Sequence, residues 1–300
     1  MNIGGVQVKK ESKKIRSARF IERYQSFFVC PICQADMYVK ELKSLVCAQG
    51  HTFDFAKQGY VNFLNHPVQS KYGKDFFEAR RTLLCESDFY TPLQKAVSEA
   101  VYKCIGEKDE SVPILDAGCG EGTYLHNVTA NLSKALSQEV IGVGVDLSKE
   151  GIIVAARNYD KHIWTVADLA NMPFRDDQFA MILNVFSPSN YKEFHRLLKK
   201  DGIVLKVVPE ENYLQELRAY AFHSRYSNEE IVTRFTEQFQ IVEEKRITYT
   251  TTLAAPLLQT FLAMTPLAWS MEEEKREQFL EQDTVSMTVD ARILIGKYNP

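Results

Sequence analysis

The chain has little that would place it outside ordinary intracellular chemistry. Six cysteines in 300 residues are too few for a disulfide scaffold. No apolar run reaches the length needed to span a bilayer, and the first residues lack the apolar segment of a signal peptide. There is no internal repeat and no low-complexity segment. Net charge is only −3, so no overall sign points to nucleic acid. A cytoplasmic, reduced protein with no membrane attachment is expected, in which clustered cysteines are metal ligands or core residues. What is present is 45% hydrophobic and 25% charged, enough for one large domain and a small one.

The small net charge conceals an uneven distribution. Residues 1–24 hold seven basic residues (Lys9, Lys10, Lys13, Lys14, Arg16, Arg19, Arg23) against Glu11 and Glu22, which is +5 and leaves −8 for the rest. This basic N-terminal arm reads either as a contact for RNA or DNA or as a solvated tail.

A zinc-binding ribbon is expected over residues 25–62. Cys30 and Cys33 form a C-x2-C knuckle, and after thirteen intervening residues Cys47 and His51 form C-x3-H. Three thiolates and one imidazole close a tetrahedral zinc site with no open position, hence a structural one. Two short strands, Met37–Val39 and Ser44–Val46, lie between the pairs, and a unit this small has too little core to stand without metal. Residues 63–110 read as linker and helices. Over 53–75 aromatics mix with Lys57, Lys71 and Lys74, a mixture that suits single-stranded RNA or a linker whose aromatics pack on the ribbon. Helices are expected over Phe76–Leu84, carrying Arg80 and Arg81, and over 92–105, with a polar loop at 106–111.

From residue 111 to 300 the pattern changes to alternation. Strands at 112–116, Val140–Asp146, His162–Ala167, Phe179–Val185 and Ile203–Val208 alternate with helices at 122–136, Lys149–Asn158 and 190–200. That order is an α/β, Rossmann-like, doubly wound parallel sheet. Beyond Pro209, helices at 212–222 and 228–239 precede a β-rich run at 241–252. The segment 253–264 and an acidic helix over 271–282 lead to a last strand at 285–295. The late strands predict an antiparallel hairpin at the sheet edge, which suits a class I methyltransferase better than a dehydrogenase.

The cofactor turn follows the first strand of the alternation. Asp116 ends the strand, and Gly118, Gly120 and Gly122 permit a tight turn and close backbone approach to a ligand. Asp146 ends the next strand, where a carboxylate accepts from both ribose hydroxyls. Asp168 follows the third, within reach of an adenine amino group. Taken singly, either aspartate is also an ordinary helix cap. Glu121 suits the cationic amino acid end of S-adenosylmethionine (SAM) and would repel a pyrophosphate, so charge favours SAM over NAD. Asn184 and Ser187, at the end of the fourth strand, are candidates for orienting an acceptor base on which Phe186 stacks; the alternative is a plain loop ended by Pro188.

With these residues in hand the chain resembles the RlmA-type family of 23S rRNA guanine-N1-methyltransferases, from about Phe28 to the C-terminus. The resemblance rests on Cys30, Pro31, Ile32 and Cys33 with Cys47 and His51, on Phe53 to Asn62, and on Glu78 to Arg81. It continues through Tyr90 to Leu93, Asp116 to Gly122, and Met264 to Trp269. It implies zinc on the four ligands and SAM contacts at Gly120 and Glu121. Tyr90 matches a residue that touches the cofactor from the linker, and Tyr213 stands where some members have a His near it. It also implies a homodimer whose ribbons and methyltransferase domains line a cleft for an rRNA hairpin. The target is then a guanine in a loop of domain II, and some members confer resistance to the macrolide tylosin. Arg80, Arg81, Lys71 and Lys74 are expected to hold phosphates. The longer basic arm departs from the family. Three competing readings are a zinc-containing RNA-binding protein without catalysis, a small-molecule SAM-dependent methyltransferase, and a nicotinamide dehydrogenase.

Overall fold

The computed structural model describes residues 11–66, 68, 70–105, 111–221 and 227–297. The polar loop expected at 106–111 and the end of the helix expected at 212–222 fall largely outside these residues, as do Lys9 and Lys10.

The chain enters through a helix, α1 (Lys13–Arg23), capped by the Ser12 hydroxyl, which accepts from the Ile15 amide. This is neither a free arm nor a solvated tail. Ala18 and Ile21 are buried, Lys13 and Arg16 pair with Asp160 at 2.8 and 3.2 Å, and Arg23 pairs with Glu139 at 2.6 Å. Three of the basic residues, Lys13, Arg16 and Arg23, are thus paired with carboxylates of the body, while Arg19 pairs with Glu11 beside the helix.

Three short strands follow, β1 (Met37–Lys40), β2 (Ser44–Cys47) and β3 (Thr52–Asp54), in one antiparallel sheet. The sequence suggests only the first two, because three residues are too few to show alternation. Next come β4 (Val61–Asn62), α2 (Lys74–Glu86) and α3 (Thr91–Ile105). The alternating part runs β5 (Val112–Ala117), α4 (Thr123–Ala135), β6 (Val140–Asp146), α5 (Lys149–Asn158), β7 (His162–Val166), β8 (Phe179–Val185), α6 (Tyr191–Leu197) and β9 (Leu198–Pro209). The rest is α7 (Gln215–Ala221), α8 (Glu229–Gln238), β10 (Gln240–Ala254), α9 (Ala255–Met264), α10 (Glu273–Leu280) and β11 (Thr284–Lys297). Helix α6 stops three residues short of the expected end. The Arg196 and Leu197 carbonyls are taken by the amides of Asp177 and Gln178, which turns the chain into β9.

The large sheet has eight strands in the order β10-β11-β9-β8-β5-β6-β7-β4. Six run parallel, and β11 is antiparallel to both β9 and β10. The late pair sits at the edge as expected but is joined by α9 and α10 rather than by a hairpin turn. Chain order reverses beside β5, so the crevice for a ligand opens at the C-terminal end of that strand. All six β5 residues are buried, as a strand covered on both faces requires. Its side chains alternate between two cores: Ile114 packs with Leu93, Val97 and Leu125, and Leu115 and Ala117 face the other side. The second core also holds Phe28, Leu45, Phe53, Phe55 and Phe63. Phe53, Phe55 and Phe63 are therefore core residues, whereas Tyr38 and Tyr72 are exposed; β4, which pairs with β7 through Val61 and Asn62, adds the outermost strand. Among the described residues, no helix is long and apolar enough to cross a membrane.

Candidate functional site

Two sites are built by this fold. The first is the ribbon tip. The Cys30 amide donates to Ala35 O and the Gln34 amide to Cys30 O, each at 2.8 Å, which folds the first knuckle. The second is closed by Gly50, at φ +85°, whose amide donates to Cys47 O at 3.0 Å. The four ligand atoms of Cys30, Cys33, Cys47 and His51 lie within 4.8 Å of one another. Cys33 Sγ is 3.7 Å from Cys47 Sγ, and His51 Nδ1 is 3.4 Å from the sulfurs of Cys30 and Cys47. Zinc–sulfur bonds of about 2.3 Å at a tetrahedral angle place sulfurs about 3.8 Å apart. The donor set and its edges fit zinc, and the thiols are not joined as disulfides.

The second site surrounds the glycine turn. The amides of Gly118 and Cys119 both donate to Val145 O, at 2.8 and 3.0 Å, which folds the turn back on β6. Asp146 completes it: one carboxylate oxygen accepts from Gly120 N at 2.8 Å and the other from Ser148 N at 2.7 Å. Gly118 has φ +81°, and a Cβ there would stand 1.8 Å from Ser187 Oγ; the β8 loop rests on the turn with no room for a side chain. Gly122 has φ +82° and a Cβ there would strike Trp164.

The floor of this site is acidic. Glu121 is 1% exposed and accepts from Arg80 Nε at 2.8 Å. Asp116 is buried, and its Oδ1 has no hydrogen-bond partner. Burial, with the charges of Glu121 and Asp146 beside it, pushes the Asp116 carboxyl up to about 8. Asp168 is exposed and caps its own turn, accepting from Ala170 N at 2.9 Å. An orphaned buried carboxyl oxygen, two further carboxylates and one guanidinium suit a ligand that brings positive charge and hydrogen-bond donors, as SAM does, and not a pyrophosphate.

Arg80 corrects an expectation: its guanidinium turns inward to Glu121 rather than outward to phosphate. Arg81 pairs with Glu86 at 2.8 Å and Lys74 with Glu78 at 3.3 Å; Lys71 is exposed. No spacing rule links Arg80 to Glu121, which lie 41 residues apart.

Above the turn, Phe186 sits at φ +52°, a strained conformation for a bulky residue. Its ring meets Tyr213 at 5.3 Å between centroids, and the Tyr213 hydroxyl lies 2.7 Å from that of Tyr90. Tyr90, Phe186 and Tyr213 thus form one aromatic wall. Asn184 is fully buried. Its amide donates to Ala117 O and Pro188 O at 2.9 and 3.0 Å, and its carbonyl accepts from Ser189 Oγ at 2.8 Å and Lys206 Nζ at 2.5 Å. With every position engaged, Asn184 builds the loop from within, whereas Ser187 lies over Gly118. Lys206 escaped the sequence reading; the signal was a single lysine inside the apolar run Ile203–Val208. A separate groove of about 630 Å³, lined by Arg81, Cys85, His126 and Tyr159 among others, includes no residue of the glycine turn.

Known proteins match the segments that carry both sites. A family model described as "RlmA, N-terminal" matches residues 28–74, and one described as "Methyltransferase domain" matches residues 114–202. The Bacillus subtilis (strain 168) protein named "Putative 23S rRNA (guanine-N(1)-)-methyltransferase YxjB" is 44% identical over 277 residues, covering 90% of this chain and 97% of that one. The Streptomyces fradiae "23S rRNA (guanine(748)-N(1))-methyltransferase" is 30% identical over 250 residues, covering 82% of this chain and 87% of that one.

Proposed function

The chain belongs to the RlmA-type 23S rRNA (guanine-N1-)-methyltransferase family, and from that premise we propose that it transfers the methyl group of SAM to N1 of a guanine in a hairpin loop of domain II of 23S rRNA. The observation that carries this reading is the pairing, in one chain, of a four-ligand ribbon with the acidic glycine turn, in a sequence 44% identical to a relative named for that reaction. A homodimer acting in the cytoplasm, with structural zinc on Cys30, Cys33, Cys47 and His51, completes the proposal.

SAM, when bound, supplies a methyl group activated by its sulfonium. Asp146 and Asp168 would hold its ribose hydroxyls and adenine amino group, with Gly118, Gly120 and Gly122 giving the backbone approach. Glu121, backed by Arg80, would take the ammonium end, and the unpartnered oxygen of Asp116 offers a further acceptor. Tyr90 and Tyr213 close the cofactor side. Guanine N1 is hidden by base pairing, so the base must be caught in a loop or extruded; the ring of Phe186 offers it a face, and Ser187 a hydroxyl beside the turn. The residues contribute chiefly by positioning. Primer extension on 23S rRNA tests the reading. Cells lacking the gene should lose one N1-methylguanine stop in domain II, and an unchanged pattern of stops would refute it.

A further inference from the structure

Lys206 is a lysine side chain buried on β9, 3% exposed, and nothing in the proposed chemistry uses it. Among the described residues, no carboxylate lies within ion-pair distance of it. Its three partners are neutral and lie at the end of β8 and in the loop after it: Asn184 Oδ1 at 2.5 Å, Ser189 Oγ at 2.7 Å and the Ser187 carbonyl at 3.1 Å. An ammonium has three donors, and all are satisfied here. A buried charge without a counter-ion is costly unless the surrounding dipoles replace its hydration; the loop supplies those dipoles, and in return Lys206 dictates its shape.

That shape matters because the loop and the cofactor turn are one structure. Asn184, held by Lys206 through its carbonyl, donates its amide to Ala117 O, immediately before Gly118. Ser187, whose carbonyl accepts from Lys206 Nζ, lies against Gly118. Phe186 between them is held at a positive φ, and its amide donates to Val207 O at 3.1 Å, next to Lys206 in β9. We propose that Lys206 is a positioning residue for methyl transfer: by pinning Asn184, Ser187 and Ser189, it keeps the strand-end loop, with Phe186 and Ser187, seated on the glycine turn. Desolvation pushes the ammonium down to about 8, so the side chain is still mainly protonated at neutral pH and keeps its third donor. The inference rests on the methyltransferase reading above.

The test uses full-length, zinc-loaded protein and a domain II transcript of 23S rRNA, with Lys206→Met, Lys206→Arg and Ser189→Ala. Lys206→Met should lower kcat at least about thirtyfold while KM for SAM and for RNA stay within about threefold. Lys206→Arg should recover part of the rate, because it restores a charged donor. Amide hydrogen exchange over residues 184–190 should accelerate at least about tenfold in Lys206→Met, with the other strands unchanged. A merely structural lysine would lower the amount of folded enzyme without splitting kcat from KM. Wild-type kcat (within about twofold) with unchanged exchange over 184–190 would overturn the proposal. Should Lys206→Met not fold, Ser189→Ala decides: faster exchange in the loop supports the proposal and unchanged exchange overturns it. Wild-type protein that fails to methylate the transcript refutes the substrate reading instead, and hydrogen exchange still judges Lys206.

Discussion

The ribbon and the cofactor turn each bring four or five side chains to one point, by different means. At the ribbon tip the strands are three or four residues long, and convergence depends on two knuckles. Around the turn, β5, β6 and β8 are six or seven residues long and buried, and their ends converge because the sheet sets their register. The first set of donors is placed by local turns, the second by the register of neighbouring strands. Yet the two are not separate bodies. Phe28, Leu45, Phe53 and Phe63 of the ribbon and linker share a core with Phe174, Phe179 and Ile182, and β4 extends the large sheet. The ribbon gathers four donors that fit a metal at its tip and is anchored at its base in the methyltransferase core.

The sharpest way to break this contrast is to remove the metal. Cys30→Ser, or a strong chelator, should abolish stoichiometric zinc. Structural zinc sites contribute on the order of 10 kcal/mol to small domains, so the ribbon should unfold and rRNA affinity should fall at least about a hundredfold. Because the ribbon base is part of the second core, the melting temperature of the whole chain should drop too, whereas SAM affinity should change least. Full zinc content in Cys30→Ser protein would refute the ligand assignment; separate melting of an intact methyltransferase domain would refute the shared core.

The cofactor turn should respond in the opposite sense. Asp146→Ala removes the acceptor for Gly120 N and Ser148 N and, by the proposal, the ribose contact. Losing charge-assisted hydrogen bonds costs about 1.5–3 kcal/mol, so calorimetry should show SAM binding weakened at least about tenfold with zinc content unchanged. Undiminished SAM binding would remove this cofactor site.

The smallest effect is expected at α1. Lys13→Ala with Arg16→Ala breaks pairs to Asp160, which is itself more than half exposed; screened surface pairs contribute about 0–1 kcal/mol each. The melting temperature should fall by only a few degrees. The salt dependence of rRNA binding should be unchanged, since both charges already have partners on the protein. A shallower salt slope in the double variant would restore these residues to the RNA contact.

These cases show what was legible in the sequence. The alternation from β5 to β9 was readable because buried parallel strands are continuous apolar runs, and the metal ligands because their spacing is local. The turn glycines and Asp146 were readable because strand ends are. What escaped depends on contacts between distant segments. Nothing local distinguishes Val61 and Asn62 from linker, since a two-residue strand shows no period. A count of charges made residues 11–23 look like a free basic arm, because Asp160 and Glu139, which neutralise it, lie over a hundred residues away. Arg80 looked like a phosphate ligand for the same reason: its partner Glu121 is on another element. Lys206 was visible as a charge in an apolar strand, but its three partners lie in a loop that only the fold brings beneath it.

The most direct measurement is mass mapping of 23S rRNA methylated in vitro by the purified, zinc-loaded protein with deuterium-labelled SAM. The account predicts one labelled methyl group, on N1 of a guanine within a domain II hairpin loop. Label on another atom, on another rRNA domain, or no label on rRNA at all would contradict it.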